Sequence, residues 1–418
     1  MLQWDEVHPY NAIHVVRIHA ALDPERVGNV LRQLLARLGL TGLQMDAAHA
    51  RFEYQGGPAE CEIKFLTESD PQTALVSEVE RQLNTRFAFS QPFTPFRFFI
   101  VPETDSFLLG LVYFHPIADA EAVVFLLKRI YEAYLSAGEI GSIEPLDLYP
   151  RPRDRLLRHP TPLLKKLAAI PGMLLDTRRS CRPKYRDVAD STIGATLFSL
   201  PDSLPKLLQA SKLWGVTLND LFLGLLARSL GPLATRLQKG RRREMSLGCI
   251  VNLRPELGLQ GPGTFGLFLG SFIVTQPMPS ENSEPREIAL AVRARTQRVK
   301  RDQLYLTSAL ELGFARRILG LSATRKRRNL YQKHHPLWGG ITNMNLNQLW
   351  PQPTDGTSFD YFRAVSTGPA TPLVMSVTTV GEKVNIGLAF RRTVFSQEDI
   401  TRIQKTLVES VSERELTV

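Results

Sequence analysis

Apolar positions in the first third of the chain switch between the period of a strand and the period of a helix. Residues 12–22, "AIHVVRIHAAL", alternate as a strand, and Asp23-Pro24 then supplies an N-cap and a first-turn proline for a helix. Two neighbouring strands are predicted at 95–101 and 107–114, and the second is apolar throughout, as expected of a strand covered on both faces. The further helices predicted in this region cover 73–85 and 120–135.

After residue 190 the alternation of strands and helices starts again. Mixed strands and helices in two similarly composed halves predict an α/β fold, with mixed sheets covered by helices, and not a helical bundle or a sandwich. The predicted strands lie at 195–200, 246–253, 271–278, 339–346, 372–379 and 384–390, and the predicted helices at 203–213, 218–230, 284–300 and 396–411, with a basic helical region up to about 333.

A basic segment joins the two halves. Within it, "TPLLKKLAAIPGMLL" (161–175) places six apolar residues roughly on one helical face, interrupted by Pro171-Gly172, which predicts an amphipathic crossover. These six residues, the apolar stripe, are Leu163, Leu164, Leu167, Ile170, Leu174 and Leu175. The domain boundaries that follow are 1–150 for the N-terminal half, 151–186 for the basic crossover linker and 187–418 for the C-terminal half.

The composition limits the class of protein. Of the 418 residues, 43% are hydrophobic and 22% are charged, which is typical of a soluble globular protein. The 3 cysteines are scattered without a CxxC pair, which argues against a disulfide framework and a zinc site and fits a reducing cytoplasm. The N-terminus lacks the features of a signal peptide, and no stretch approaches the ~18–20 apolar residues of a membrane span. We therefore expect a cytoplasmic protein without a metal site.

The net charge of +10 is concentrated in two segments. Residues 151–186 hold eleven Lys/Arg against two acidic residues, and residues 316–335 hold seven Lys/Arg and no acidic residue. Such patches predict an anionic partner. The chain lacks zinc-finger spacing, an RNP-like strand and a phosphate loop, so we expect no nucleic acid. The phosphates of CoA, an acidic acyl carrier protein and peripheral contact with the inner membrane face stay open, although packing of the apolar stripe across the two halves is favoured over membrane contact.

One histidine stands where an apolar strand ends. In "VYFHPIADAEAVV" (112–124), His115 follows the strand and Asp119 precedes the helix. Acyl transfer from a thioester needs one base for the acceptor's proton and hydrogen-bond donors for the oxyanion. A histidine of ordinary pKa is available as a base near neutral pH. The ordinary alternative is a strand-to-helix turn in which Asp119 only caps the helix.

The flanking sequence resembles a known superfamily. Residues 83–120 are similar to the N-terminal half of the condensation-domain and CoA-dependent acyltransferase superfamily, whose members carry HHxxxDG or HxxxDG after an apolar strand. This superfamily includes nonribosomal condensation domains, wax ester synthase/diacylglycerol acyltransferases, polyketide-associated acyltransferases and BAHD acyltransferases. Further similar tracts follow in the same order: "WGVTLNDLFLGLLARSL" (214–230), "CIVNLRPELG" (249–258) and "GGITNMNL" (339–346). The resemblance implies two chloramphenicol-acetyltransferase-like subdomains with a cleft or tunnel between them.

The resemblance also assigns roles to residues of this chain. His115 matches the general base, and Asp119 matches an aspartate that points away from the substrate and forms a structural ion pair. Arg254, in "NLRP", is the expected partner, with Arg97 as the competing one. The resemblance implies supporting positions near the cleft for three further residues: Asn219, Asp220 and Asn343.

Two positions depart from the superfamily motif. Phe114 replaces the first histidine of HHxxxDG, which BAHD enzymes also lack, and Ala120 replaces the glycine. If the position of Ala120 requires a positive φ, alanine costs about 1 kcal/mol or more there.

The function implied by the resemblance is transfer of an acyl group to a hydroxyl acceptor. The co-substrate would be acyl-CoA or a phosphopantetheinyl acyl carrier protein, and no tightly bound cofactor is expected. Two alternatives stay open. One is a stand-alone condensation domain that forms an amide between carrier-bound substrates, and the other is a non-catalytic relative that binds acyl chains or acts as a scaffold.

Overall fold

The computed structural model describes most of the chain. It describes residues 2–46, 51–68, 70–89, 92–136, 140–150, 161–187, 190–238, 240–280, 283–308, 336–352, 360–368, 370–412 and 416. Residues 151–160 of the crossover linker, the second basic segment at 316–335 and the predicted basic helical region after residue 308 lie outside these residues.

The strands and helices alternate along the chain as the apolar pattern predicts. The strands are β1 (Asn11–Ile18), β2 (Leu43–Asp46), β3 (Arg51–Tyr54), β4 (Glu62–Phe65), β5 (Phe96–Pro102), β6 (Phe107–Phe114), β7 (Asp147–Leu148), β8 (Ile193–Leu200), β9 (Glu244–Asn252), β10 (Thr264–Phe265), β11 (Leu269–Pro277), β12 (Leu337–Asn345), β13 (Tyr361–Val365), β14 (Leu373–Val380) and β15 (Lys383–Arg391). The α-helices are α1 (Leu2–Asp5), α2 (Pro24–Arg37), α3 (Pro71–Asn84), α4 (Ala120–Leu135), α5 (Thr161–Arg179), α6 (Leu204–Trp214), α7 (Leu218–Thr235), α8 (Arg254–Leu257), α9 (Pro285–Arg301), α10 (Leu346–Leu349) and α11 (Gln397–Ser412).

The N-terminal half is built on a five-stranded mixed sheet in the order β13-β1-β6-β5-β4. Strand β6 is buried at every position, as its continuous apolar sequence predicts. The local signals also act as expected, because the Asp23 side chain caps α2 by accepting from the backbone N–H of Arg26 at 3.0 Å. The predicted strand at 12–22 is shorter in the structure and ends at Ile18.

The C-terminal half is built on a six-stranded mixed sheet in the order β11-β9-β12-β14-β15-β8. Helices α7 and α9 pack on one face of this sheet, and α11 packs on α7. Side chains alternate between faces, and the opposite face meets the N-terminal half, where Met344 and Ala389 join its core. Two mixed sheets covered by helices confirm the predicted α/β fold.

Two segments from the C-terminal half complete the N-terminal half. Strand β13, at 361–365, pairs antiparallel with β1 in the N-terminal sheet, although the boundary at 187 assigns it to the other half. Strand β10 pairs in parallel with β7. A Cβ at Gly387 would overlap the carbonyl oxygen of Arg363, so glycine is required where β13 crosses β15. These crossings hold the two halves together around their interface.

The crossover helix α5 corrects one expectation. It continues through Pro171 without the predicted interruption, and its apolar stripe does not pack across the two halves. All six stripe residues are exposed. The buried residues of this helix are Pro162 and Lys166, so α5 contacts the protein through a different side from the one the apolar pattern predicted.

Candidate active site

The loop that carries His115 is fixed by backbone contacts from both halves. Strand β6 ends at Phe114, a single 3-10 turn covers His115–Ile117, and α4 starts at Ala120. The backbone N–H of His115 donates to the Tyr10 carbonyl at 3.0 Å. The backbone N–H of Asp119 donates to the Gly266 carbonyl, which belongs to the C-terminal half, at 2.9 Å. The histidine therefore lies where the two halves meet.

The imidazole of His115 is buried and oriented. Its Nδ1 lies 3.3 Å from the carbonyl oxygen of Ala118. Because a carbonyl can only accept, Nδ1 carries the hydrogen in the neutral ring and Nε2 keeps the lone pair. The rings of Tyr10 and Tyr113 lie beside it, with centroid distances of 5.0 and 5.7 Å.

Burial determines the charge state of His115. The pKa of its imidazole is lowered to about 4, mainly by burial; the hydrogen bond to Ala118 acts in the opposite direction, and the positive charge of Arg363 adds a smaller lowering. The ring is therefore neutral at physiological pH and is in the form that can accept a proton.

Asp119 forms a buried bidentate ion pair with Arg254. The Nε of Arg254 donates to Asp119 Oδ2 at 2.9 Å and its Nη2 donates to Oδ1 at 3.1 Å. The same carboxylate accepts the backbone N–H of Ala122 at 2.9 Å, as the N-cap of α4, and that of Phe268 at 3.1 Å. Helix cap and ion pair are thus two roles of one carboxylate, whose oxygens both face donors and are not directed at His115.

Arg254 fastens a loop of the C-terminal half onto the N-terminal half. Its Nη1 donates to the carbonyls of Leu259 and Thr264, each at 3.3 Å, and its guanidinium lies 5.0 Å from the centre of the Phe268 ring. Beside it, Asn252 donates to the Glu121 carboxylate at 2.7 Å. Arg254 is fully buried, so every donor contact replaces water that the guanidinium has lost.

Arg97 lies elsewhere. Its guanidinium donates to the carbonyl oxygens of Thr85 at 2.9 Å and Arg86 at 3.2 Å, just after α3, and it stacks 4.0 Å from the centre of the Phe87 ring. Burial lowers its pKa to about 10. In the described part of the chain, Arg97 does not contact Asp119.

The structure places Asp220 and Asn219 at the start of α7. Asp220 forms a capping box with Thr217 and also accepts from Thr296 Oγ1 of α9 at 2.6 Å. These contacts tie two helices together. The amide of Asn219 lies 3.9 Å from the thiol of Cys249.

Asn343 lies on the helix-covered face of the C-terminal sheet. It is in register with Val377, which belongs to the C-terminal core, whereas the next residue, Met344, packs against the N-terminal half. The side-chain oxygens of Asn343 and Asn219 are both buried without a hydrogen-bond partner. Alternation along β12 therefore directs Asn343 away from the face that meets the N-terminal half.

A second buried arginine near His115 was not predicted from the sequence. Arg363, on β13, is 2% exposed and lies across from His14 on β1. Its Nε donates to Thr378 Oγ1 at 2.9 Å, and its Nη2 donates to the carbonyls of Thr342 and Val377 at 3.1 and 2.6 Å. Burial lowers its pKa to about 10, so it stays charged at neutral pH. No carboxylate of the described residues pairs with it. A single arginine inside the apolar strand "YFRAV" is the signal that could have found it.

The residues around Arg363 form a buried polar cluster beside His115. We call this group the Arg363 cluster: Arg363, His14, Tyr113 and Tyr361. The Nδ1 of His14 lies 2.6 Å from the Tyr361 hydroxyl, and its Nε2 is buried without a partner. Burial, and then the charge of Arg363, hold the pKa of His14 well below its usual range.

Comparisons with known proteins identify the fold. Comparison of the sequence with protein-family models, and with curated proteins, finds no match. Among solved structures, the chain is similar to the first condensation domain of the calcium-dependent antibiotic synthetase in complex with a substrate analogue. That match has 16% identity, covers 99% of this chain and 92% of the other, and has a TM-score of 0.71.

Two further solved structures extend this likeness. The epimerization domain from the third module of tyrocidine synthetase B is 13% identical over 96% of this chain and 90% of that chain, with a TM-score of 0.64. A mutant starter condensation domain of rhizomide synthetase, in complex with C8-CoA and Leu-SNAC, is 14% identical over 97% and 90%, with a TM-score of 0.64. The chain therefore has the two-subdomain fold of condensation domains. No helix of the described residues is long and apolar enough to cross a membrane.

Proposed function

We propose that this protein transfers an acyl group from a thioester to an acceptor, with His115 as the general base. The observation that carries the proposal is the orientation of the imidazole. Its Nδ1 hydrogen bonds the Ala118 carbonyl at 3.3 Å, and Nε2 is left as the site that can accept a proton. A solved structure of the same fold in complex with C8-CoA supports a thioester as donor.

The proposed step requires one base and no covalent enzyme intermediate. The acceptor's oxygen or nitrogen attacks the thioester carbonyl carbon while its proton passes to Nε2 of His115. The tetrahedral intermediate then collapses, the carbon–sulfur bond breaks, and the departing thiolate takes that proton from Nε2. Because the pKa of His115 is about 4, the ring is unprotonated at neutral pH, and once protonated in the reaction it returns the proton readily to the thiolate.

Asp119 and Arg254 would act as positioning residues. The hydrogen bonds of the Asp119 carboxylate within the described residues go to Arg254, Ala122 and Phe268, so the ion pair would hold the loop without touching the substrate. Asn219, Asp220 and Asn343 would support the site only indirectly, since their contacts lie in the C-terminal half. Arg97 would stabilise the end of α3.

The donor would be acyl-CoA or a phosphopantetheinyl acyl carrier protein, and the acceptor a hydroxyl or an amine. The arrangement of His115 accommodates both, because each acceptor presents one proton to Nε2. The sequence favoured a hydroxyl acceptor. The condensation-domain fold supports an amine acceptor equally well. A stand-alone condensation domain is thus an equal form of the proposal. We propose a cytoplasmic location, consistent with the absence of CxxC pairs from the sequence.

The argument for a non-catalytic role would rest on Ala120, which replaces the glycine of the motif. The structure gives Ala120 an ordinary helical conformation, as the first residue of α4, and it is not among the residues with positive φ. The alanine therefore carries no backbone strain at that position. This observation favours the catalytic form of the proposal over an acyl-binding scaffold.

Turnover with and without His115 tests the proposal. Purified protein is incubated with acyl-CoA thioesters and with hydroxyl or amine acceptors, and the released thiol and the product mass are measured. His115→Ala should lower turnover by about 10²–10⁴, the usual contribution of a general base. His19→Ala, at an exposed histidine of the same half, is the matched control and should keep wild-type turnover. A folded His115→Ala protein with wild-type turnover would contradict the proposal.

A further inference from the structure

Helix α5 presents its apolar stripe to solvent. The six stripe residues are 41–63% exposed: Leu163, Leu164, Leu167, Ile170, Leu174 and Leu175. Their spacing places them on one side of the helix, while Pro162 and Lys166, on another side, are buried. Soluble monomers rarely expose a continuous apolar surface of this kind unless it binds something.

Basic residues lie at both ends of this stripe. At the N-terminal end, Lys165 bonds Asp302 at 3.3 Å, and Arg301 contacts the same aspartate. At the C-terminal end, Arg178 and Arg179 are exposed, and neither forms an ion pair within the described residues.

The chain just beyond the C-terminal end of α5 adds further positive charge. Ser180 forms a β-bridge with Glu244 at the start of β9. Burial, and then repulsion by the nearby charge of Arg242, lowers the pKa of Arg182. The Nε of Arg182 is buried without a partner. Cations therefore lie at both ends of the apolar stripe.

We propose that the α5 stripe docks on the surface of an anionic lipid bilayer. An amphipathic helix of this kind lies in the interface plane, with its apolar face in the headgroup–acyl boundary and its basic residues near lipid phosphates. The stripe is a convex helical face roughly 18 Å long, at 1.5 Å per residue. A deformable bilayer fits such a face, whereas a rigid protein partner would need a complementary groove. This proposal goes beyond the acyl transfer proposed above and does not depend on it.

Vesicle co-sedimentation tests the proposal directly. The full chain is mixed with vesicles of phosphatidylcholine and phosphatidylglycerol, or of phosphatidylcholine alone, and pelleted at about 10 mM and about 1 M salt. The Debye length falls from about 30 Å to about 3 Å between these conditions. We expect binding to the anionic vesicles at low salt and a fall in the partition coefficient on the order of tenfold or more at high salt or without phosphatidylglycerol.

Helix α6 supplies matched controls. Leu164→Ser/Leu167→Ser/Leu174→Ser alters exposed positions only, and should lower partitioning on the order of tenfold. Leu208→Ser/Leu213→Ser alters leucines of α6 that are 48% and 60% exposed, and should leave partitioning unchanged.

The same comparison can be made for charge. Arg178→Glu/Arg179→Glu should weaken binding on the order of tenfold, whereas Lys206→Glu/Lys212→Glu, at exposed lysines of α6, should not. Lys165 and Lys166 are less informative, because Lys165 pairs with Asp302 and Lys166 is buried.

Three outcomes would overturn the proposal. The first is wild-type protein that stays in the supernatant with both vesicle types. The second is an equal loss for the α5 and α6 variants. The third is a protein that binds an acidic acyl carrier protein, but not vesicles, through Arg178 and Arg179. His115→Ala, which would abolish the proposed transfer, should still pellet with anionic vesicles, so failure of one proposal is distinguishable from failure of the other.

Discussion

Two buried arginines, Arg254 and Arg363, flank the His115 loop and are compensated in different ways. Both are supplied by the C-terminal half to its contact with the N-terminal half, and they are 0% and 2% exposed. Arg254 meets the Asp119 carboxylate with two donor atoms. Among the described residues, Arg363 donates to carbonyl oxygens and one hydroxyl and to no carboxylate. One charge is neutralised by a partner, and the other is solvated by dipoles alone.

The difference shows how two arginines near His115 can have different effects. The Asp119 carboxylate neutralises the charge of Arg254, so Arg254 stabilises the structure. The charge of Arg363 is not cancelled, and it acts on the pKa of His14 and His115. We therefore expect loss of Arg254 to affect folding most and loss of Arg363 to affect proton equilibria most.

The largest expected effect comes from the compensated arginine. Asp119→Ala and Arg254→Ala should each lower the free energy of unfolding by about 3–5 kcal/mol, because each leaves a buried charge without its partner. Asp119→Ala should cost about 1 kcal/mol more, since it also removes the cap of α4. Urea denaturation of the single variants and of the double variant measures these losses.

The coupling between the two residues is the informative quantity. The double variant should lose much less than the sum of the two single losses, and Asp119→Asn, which can still cap α4, should behave like Arg254→Ala. Additive losses would show that the pair does not act as a unit.

The sequence predicted the parts of this arrangement that depend on local signals. An apolar strand, a histidine and a capping aspartate at fixed spacing locate His115 and Asp119, whereas Arg254 was implied only by the resemblance of the "NLRP" tract. Arg363 could not be found in this way, because its environment depends on β13 joining a sheet built from residues far away in the chain. The exposed stripe of α5 shows the reverse case, since helical periodicity predicts an apolar face but not which side of the helix the protein covers.

The next effect is the pH dependence of stability. The pKa of His115 is about 4 in the folded protein and near 6.5 in the unfolded chain. As pH falls below about 6.5, the unfolded chain takes up the proton first, so stability decreases between about pH 6.5 and 4 and this contribution stops changing below about 4. The contribution amounts to about 3 kcal/mol, and His14 acts in the same direction.

A variant isolates the share of His115. The free energy of unfolding is measured by urea denaturation at several pH values for wild type and His115→Gln. As pH falls from 6.5 to 4, the free energy of unfolding should decrease more for wild type than for His115→Gln. A constant difference across this window would show that His115 is not buried in its neutral form.

The smallest effect on stability should come from the uncompensated arginine. Arg363→Met keeps much of the apolar stem and removes a buried charge without leaving a carboxylate unpaired. We therefore expect a loss of about 1–2 kcal/mol, smaller than the loss for Arg254→Met. The same change should raise the pKa of His115, because a positive neighbour is lost. Titration of the His115 ring protons by NMR measures this, with Arg97→Met as a control at an arginine that contacts the end of α3. Equal stability losses for Arg254→Met and Arg363→Met, with no change in the pKa of His115, would remove the distinction between the two arginines.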